Sequence, residues 1–244
     1  MLVRTDLTHL DGILPKDEVH VWHTDVAGNR TIRELSDLLD AAEQERASRF
    51  KVSSARDQFV VAHGFLRIAL GRYLQAEPRD LRFHTAEHGK PGLAGNQDLH
   101  FNLSHTDDAV IIAVTRAGQV GVDVERVREN LDPQELADRF FSRQESEWLR
   151  SQPAPERFSS FFACWTAKEA YIKACGGGLS MGLADFSVIP HQDREQLELQ
   201  LHGKSNDRRR WSMWRLDLGP DLHSALAIEG QNVSLRLGRW SFQP

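Results

Sequence analysis

"GVDVERV", residues 121–127, sets two carboxylates two positions apart in an otherwise apolar run. Side chains along a strand alternate faces. Val120, Val122 and Val124 therefore share one face, and Gly121, Asp123 and Glu125 share the other. Like charges roughly 6–7 Å apart on one face repel unless a positive group comes near them. Two arrangements answer this: an exposed edge strand with a polar face, or a divalent metal site.

The 244 residues suffice for one large domain or two small packed ones, and 40% hydrophobic content supports a sizeable core. A net charge of −5 argues against a chain built to coat nucleic acid. No apolar run reaches membrane-spanning length, and the N-terminus lacks the basic-then-apolar pattern of a signal peptide. The two cysteines, Cys164 and Cys175, would stand about 16 Å apart on one helix, too far to bridge. This composition points to the cytoplasm.

Along the chain, "EVHVWHTDV" (18–26) alternates like a strand. "TIRE" (31–34) has the form of a capping box, with Thr31 as N-cap and Glu34 at N3, and predicts a helix to about Phe50. Residues 53–75 carry Phe59, His63, Leu66, Leu70 and Leu74 near helical spacing and stop before Pro78. Strands are expected at 80–84, 98–103, 109–115 and 119–125. A long helix over about 155–175 ends at "GGG" (176–178), and strands follow near 185–190, 196–202, 211–218, 223–229 and 232–237. The order predicts an α+β protein of two comparable halves, 1–117 and 118–244, with "TRAGQ" (115–119) as the seam.

The stretch "FFACWTAKEAYIKACGGGLS" (161–180) belongs to that long helix. Phe158, Phe161, Phe162, Trp165 and Ile172 form an apolar stripe, and Glu169 falls within it. A carboxylate there is costly unless paired or bound to a metal. Lys173 lies one turn further on the same face and Lys168 flanks it, so an ordinary Glu–Lys pair on a solvated face is the other reading. The glycines are either a C-cap or a loop that contacts a ligand.

Upstream, "GKP" (89–91) reads as a turn and also presents Lys90 as an anchor for a phosphate. In "FNLSHT" (101–106), Phe101 and Leu103 point one way, and Asn102 and Ser104 the other. There is no G-x-S-x-G, HExxH, paired CxxC, P-loop or dinucleotide fingerprint, which argues against serine hydrolases, zinc enzymes and those nucleotide folds.

Taken in order, "GKP" (89–91), "FNLSH" (101–105), "GVDVE" (121–125) and "WTAKEAYIKACGGGLS" (165–180) resemble the 4′-phosphopantetheinyl transferases of the Sfp type. The resemblance is strongest over 83–190; before residue 40 and after 190 only the strand pattern is similar. It implies the family's fold, two similar α/β halves related by a pseudo-twofold within one chain, with coenzyme A bound in the cleft. It also implies the reaction: the phosphopantetheine arm of coenzyme A passes to a serine of an apo acyl or peptidyl carrier protein, and adenosine 3′,5′-bisphosphate leaves.

By the same resemblance, Asp123, Glu125 and Glu169 hold Mg²⁺ or Mn²⁺. Glu169 acts as base, directly or through water, and Lys173 stabilises or protonates the leaving phosphate. Arg56, Lys90, Asn102, Ser104, His105, Lys168 and Lys173 contact coenzyme A, with Arg56 as the candidate for the 3′-phosphate. Some members place that basic residue two positions later, where this chain has Gln58. The length matches the monomeric, two-half type. Two rivals stand beside this reading. A non-catalytic coenzyme A or carrier-protein binding module would keep the nucleotide contacts and lose the metal or base. A metal-dependent phosphodiesterase would use water as nucleophile.

Overall fold

The structure is a computed structural model that describes residues 3–4, 13–26, 29–85, 89–95, 98–178, 181–190, 194–202 and 209–240. In chain order the first elements are β1 (Val3–Arg4), β2 (Glu18–Asp25), α1 (Asn29–Ser36), α2 (Ala41–Ser48), α3 (Ser53–Leu74), β3 (Phe83–Thr85) and β4 (Pro91–Leu93). Then come β5 (His100–Thr106), β6 (Ala109–Thr115), β7 (Val120–Arg126), α4 (Pro133–Phe140), α5 (Arg143–Ser151) and α6 (Arg157–Cys175). The last are β8 (Phe186–Val188), β9 (Gln196–Leu197), β10 (Leu199–Leu201), β11 (Trp211–Leu216), β12 (Leu222–Glu229) and β13 (Ser234–Arg239).

The chain divides into two compact units, Met1–Ala86 with Pro91–Ala117 and Ser234–Pro244, and Glu87–Lys90 with Gly118–Val233. A single cut after residue 117 therefore does not describe the division. The last strand pairs with β1 and β2 and so belongs to the first unit, while Lys90 belongs to the second.

In the first unit a five-stranded sheet runs β1-β13-β2-β6-β5, with β13 parallel to both neighbours and the other pairs antiparallel. The apolar residues of α3, among them Phe59, Leu66 and Leu70, pack with Trp22, Val110, Ile112 and Val114 of this sheet. The helix stops where Gln75 turns left-handed (φ 51°), ahead of Pro78. The helix expected from Thr31 to about Phe50 is two helices. The first already begins at Asn29, so Thr31 lies inside it, and the working capping box belongs to α2. There Asp40 accepts from the Glu43 amide at 2.9 Å, and Glu43 accepts from the Asp40 amide at 3.0 Å. An aspartate favours such a cap over continuing the helix.

In the second unit the antiparallel sheet runs β7-β12-β11-β9, and α6 lies on β7 and β12. Ala167, Ala170 and Ala174 of the helix pack with Ala225 and Ala227 of the sheet, so little bulk separates the two layers. Glycine completes this close approach: a Cβ at Gly121 would stand 2.1 Å from the Ala170 carbonyl oxygen and 2.3 Å from the Ala174 amide nitrogen. Strand β7 is indeed an edge strand, yet α6 rather than water covers the face that carries Asp123. Helices α4 and α5 were not expected from the sequence. They open on Asp132–Pro133 and on a Ser142–Glu145 capping box, and they pack on Phe161, Phe162 and Cys164 of α6.

Candidate active site

The close contact at Gly121 sets the height of Asp123, two residues on along the same face. Asp123 is 4% exposed, and Lys173 Nζ donates to its Oδ1 at 2.6 Å. Glu169 lies one turn before Lys173 on α6. Burial pushes its carboxyl above the usual range, the Asp123 charge pushes it the same way, and Lys173 opposes both. The pair expected within the helix, Glu169 with Lys173, thus becomes a cluster across strand and helix.

Glu125 sits further along β7, partly exposed, with Arg128 Nη2 at 3.3 Å from its Oε2. Opposite it on β12 is His223, whose Nε2 lies 2.9 Å from Ser159 Oγ. Burial, with Arg215 nearby, brings the His223 imidazole down to about 4, so it is neutral at pH 7. Sequence reasoning did not single out His223.

Lys90 stands at the Gly121 end of the same strand–helix contact. Its Nζ donates to the Val120 carbonyl at 2.9 Å, to Gln119 Oε1 at 3.3 Å and to the Ala174 carbonyl at 3.4 Å. The lysine thereby ties the start of β7 to the last turn of α6, where a cation meets the negative end of the helix dipole. Burial lowers its ammonium to about 8.

Lys168, expected among the coenzyme A contacts, is instead drawn into the interior of its unit. Its side chain is fully buried, paired with a Glu145 that is equally buried, and it also donates to the Phe186 carbonyl at 2.8 Å. The sequence shows a lysine next to Glu169. It cannot show that a partner 23 residues away draws that lysine inward.

The remaining expected donor contacts lie in the first unit. Arg56 is on the first turn of α3, half exposed, with Nε and Nη2 at 3.1 and 2.9 Å from Asp57 Oδ1. Asn102 and Ser104 share the more buried face of the edge strand β5, and His105 is exposed on the other. Gly176 is the C-cap of α6 (φ 70°), and Leu179 and Ser180 fall outside the described residues. Among the described residues, no three His, Cys, Asp or Glu side chains are gathered as a ready-made metal site, and no helix is long and apolar enough to cross a membrane.

Both parts of the chain match models of one transferase group. Residues 27–117 match the N-terminal model of 4′-phosphopantetheinyl transferase, and residues 119–227 match the 4′-phosphopantetheinyl transferase superfamily. HetI of a Nostoc species, a 4′-phosphopantetheinyl transferase, is 39% identical over 171 residues, covering 68% of this chain and 72% of HetI. Sfp of Bacillus subtilis is 34% identical, covering 64% of this chain and 68% of its own. The ffp transferase, also of Bacillus subtilis, is 33% identical, covering 69% and 74%. The chain belongs to the 4′-phosphopantetheinyl transferase family. Its activity is the transfer of phosphopantetheine from coenzyme A to carrier proteins.

Proposed function

We propose that the acceptor is the serine hydroxyl of an apo acyl or peptidyl carrier protein. We also propose that Asp123, Glu125 and Glu169 hold the Mg²⁺ or Mn²⁺ used in the transfer. The observation that carries this reading is the cluster of Asp123, Glu169 and Lys173 formed across the Gly121 contact. Its donor set is carboxylate oxygen throughout, the chemistry a hard divalent cation takes. Asp123 also raises the Glu169 carboxyl, so a positive charge is needed where the two approach, and Lys173 supplies one here. When bound, the ion would neutralise charge on the donor pyrophosphate.

Glu169, made more basic by burial, takes the proton from the serine hydroxyl. The serine oxygen bonds to the phosphorus that carries the pantetheine arm. The bond from that phosphorus to the bridging oxygen breaks, and this oxygen departs with adenosine 3′,5′-bisphosphate. Lys173 stabilises or protonates the leaving phosphate. Arg56, Asn102, Ser104 and His105 hold the nucleotide part of the donor, with Arg56 on the 3′-phosphate. Lys90 contacts the same part of the donor, and burial, which brings its ammonium down to about 8, does not remove its charge at pH 7. Neither cysteine is in a disulfide, which fits a reducing cytoplasm, and the protein acts as a monomer.

The test is mass spectrometry of a panel of apo carrier proteins incubated with coenzyme A and Mg²⁺. A mass gain of one phosphopantetheine on the carrier serine, abolished by EDTA, is the expected result. Turnover that survives EDTA would remove the metal from the reading. Free phosphopantetheine released without any carrier would instead favour a phosphodiesterase. The 3′-dephospho form of coenzyme A should be a donor weaker by roughly 10- to 1000-fold, and Arg56→Ala should narrow that gap. Equal use of both donors by the wild type would move the 3′-phosphate away from Arg56.

A further inference from the structure

We propose that the buried Glu145–Lys168 pair is a positioning device that sets the register of α6, and with it Glu169 and Lys173, against β7. The proposal rests on the roles given above to Glu169 and Lys173. Lys168 Nζ donates to both Glu145 carboxylate oxygens at 2.7 Å and to the Phe186 carbonyl at 2.8 Å, which uses all three of its donors. Glu145 in turn accepts from the Val188 amide at 2.8 Å and the Ser142 amide at 2.9 Å. The rings of Phe141 and Phe186 lie 5.5 and 4.2 Å from the ammonium and close the site. One side chain of α6 is thus fixed by directional bonds to the start of α5 and to β8.

Two physical points make this a matter of register rather than of stability alone. A sealed ion pair holds a fold together no better than a well-packed apolar pair of the same size, so stability does not explain it. Where α6 meets β7 and β12 there is little relief, because Ala167, Ala170 and Ala174 pack with Ala225 and Ala227, and Gly121 approaches the helix backbone there. At β7 itself the contact permits close approach but offers no large side chain to fix the helix along the strand; Tyr171, the large buried residue of this cluster, packs instead on Phe186 and Trp211. Lys168 adjoins Glu169 directly, so a displaced helix carries the proposed base with it. A misplacement of about 1 Å can cost roughly 100-fold in rate.

The experiment compares the double variant Glu145→Gln/Lys168→Met with the wild type. It removes both charges, conserves volume and leaves an amide oxygen for the Val188 amide. A cooperatively melting protein is expected, with kcat down about 10- to 100-fold and the KM for coenzyme A within about twofold, since both side chains are fully buried. Wild-type kcat in the folded double variant overturns the proposal. A raised KM with kcat intact also overturns it and returns Lys168 to donor binding. Should the double variant not fold, Glu145→Asp keeps both charges and shortens the arm by one methylene. A kcat loss at constant KM supports the proposal there, and unchanged kcat overturns it. Glu169→Gln is assayed alongside. Unchanged turnover in that variant removes the role of Glu169 itself, whereas loss there with normal turnover in the pair variants removes only the positioning device.

Discussion

Each unit contains a long helix with one fully buried cation, and in each the cation binds the N3 glutamate of a capping box on a short helix that precedes it. In the first unit Arg67 of α3 reaches Glu43 Oε2 at 2.7 Å and the N-cap Asp40 Oδ2 at 2.8 Å, and its Nη1 donates to the Pro78 and Leu81 carbonyls. In the second, Lys168 of α6 binds Glu145. The surroundings differ. Asp40 and Glu43 are 29% and 13% exposed, whereas Glu145, like Lys168, is fully buried. The planar fork of arginine spreads over two acids and two loop carbonyls and binds several segments together. The compact ammonium of lysine fixes one point. Arg67 is flanked by Leu66 and Ile68, but Lys168 is flanked by Glu169, so one geometry serves the core in one unit and the site in the other.

The sharpest way to test that contrast is to remove the base and leave both buried pairs alone. Glu169→Gln should lower kcat by roughly 10²–10⁴, the range for a positioned acid or base, while the melt remains cooperative. Normal turnover in the variant would break the contrast, because α6 would then carry nothing that needs positioning.

Arg67→Met leaves two acids without their cation and should cost about 3–5 kcal/mol of stability, less to the extent that Asp40 reaches water. Turnover per folded molecule should be unchanged. Denaturant titration paired with active-site normalised kinetics would check both, and a fall in kcat of the folded fraction would erase the difference between the units.

Gly121→Ala forces a methyl group into the α6 backbone, with about 1–3 kcal/mol of overpacking expected. Turnover should fall as well, since the same shift moves Lys173 away from Asp123. A crystal structure with the 2.6 Å contact unchanged would count against this account of the cluster.

The smallest effect is in acid. Burial pushes the Glu43 carboxyl up, but hydrogen bonds from His63 and the Asp40 amide, with Arg67 close by, outweigh this and hold it below its usual value of 4.5. The unfolded chain therefore binds this proton at higher pH than the folded one does. The stability that Glu43 contributes is complete above pH 4.5 and declines as pH falls below it. Glu43→Gln should flatten the dependence of the melting temperature in that range, and an unchanged slope would assign acid sensitivity to other groups.

The long helices α3 and α6 were legible because apolar residues recur along them at helical spacing, and most strands because they alternate between turn residues. Helices α4 and α5 were not, being short, with few apolar positions each to set a period. The capping box at Ser142–Glu145 was the available signal. At Thr31–Glu34 the same four-residue pattern misled, because a box starts a helix only where the preceding chain is not already helical.

The sequence by itself determined the class of protein and the chemistry on offer: carboxylates on one strand face, a glutamate and lysines on one helix, and ordered motifs that mark a phosphopantetheinyl transferase. Tertiary structure alone decided which lysine does what. Lys173 crosses to Asp123, Lys168 turns inward to Glu145, and Lys90 closes on backbone carbonyls. Spacing along a chain gives the direction in which a side chain leaves its helix or strand. Its partner depends on how near the next layer comes, and here that distance is set by a glycine and a few alanines whose own chemistry is silent.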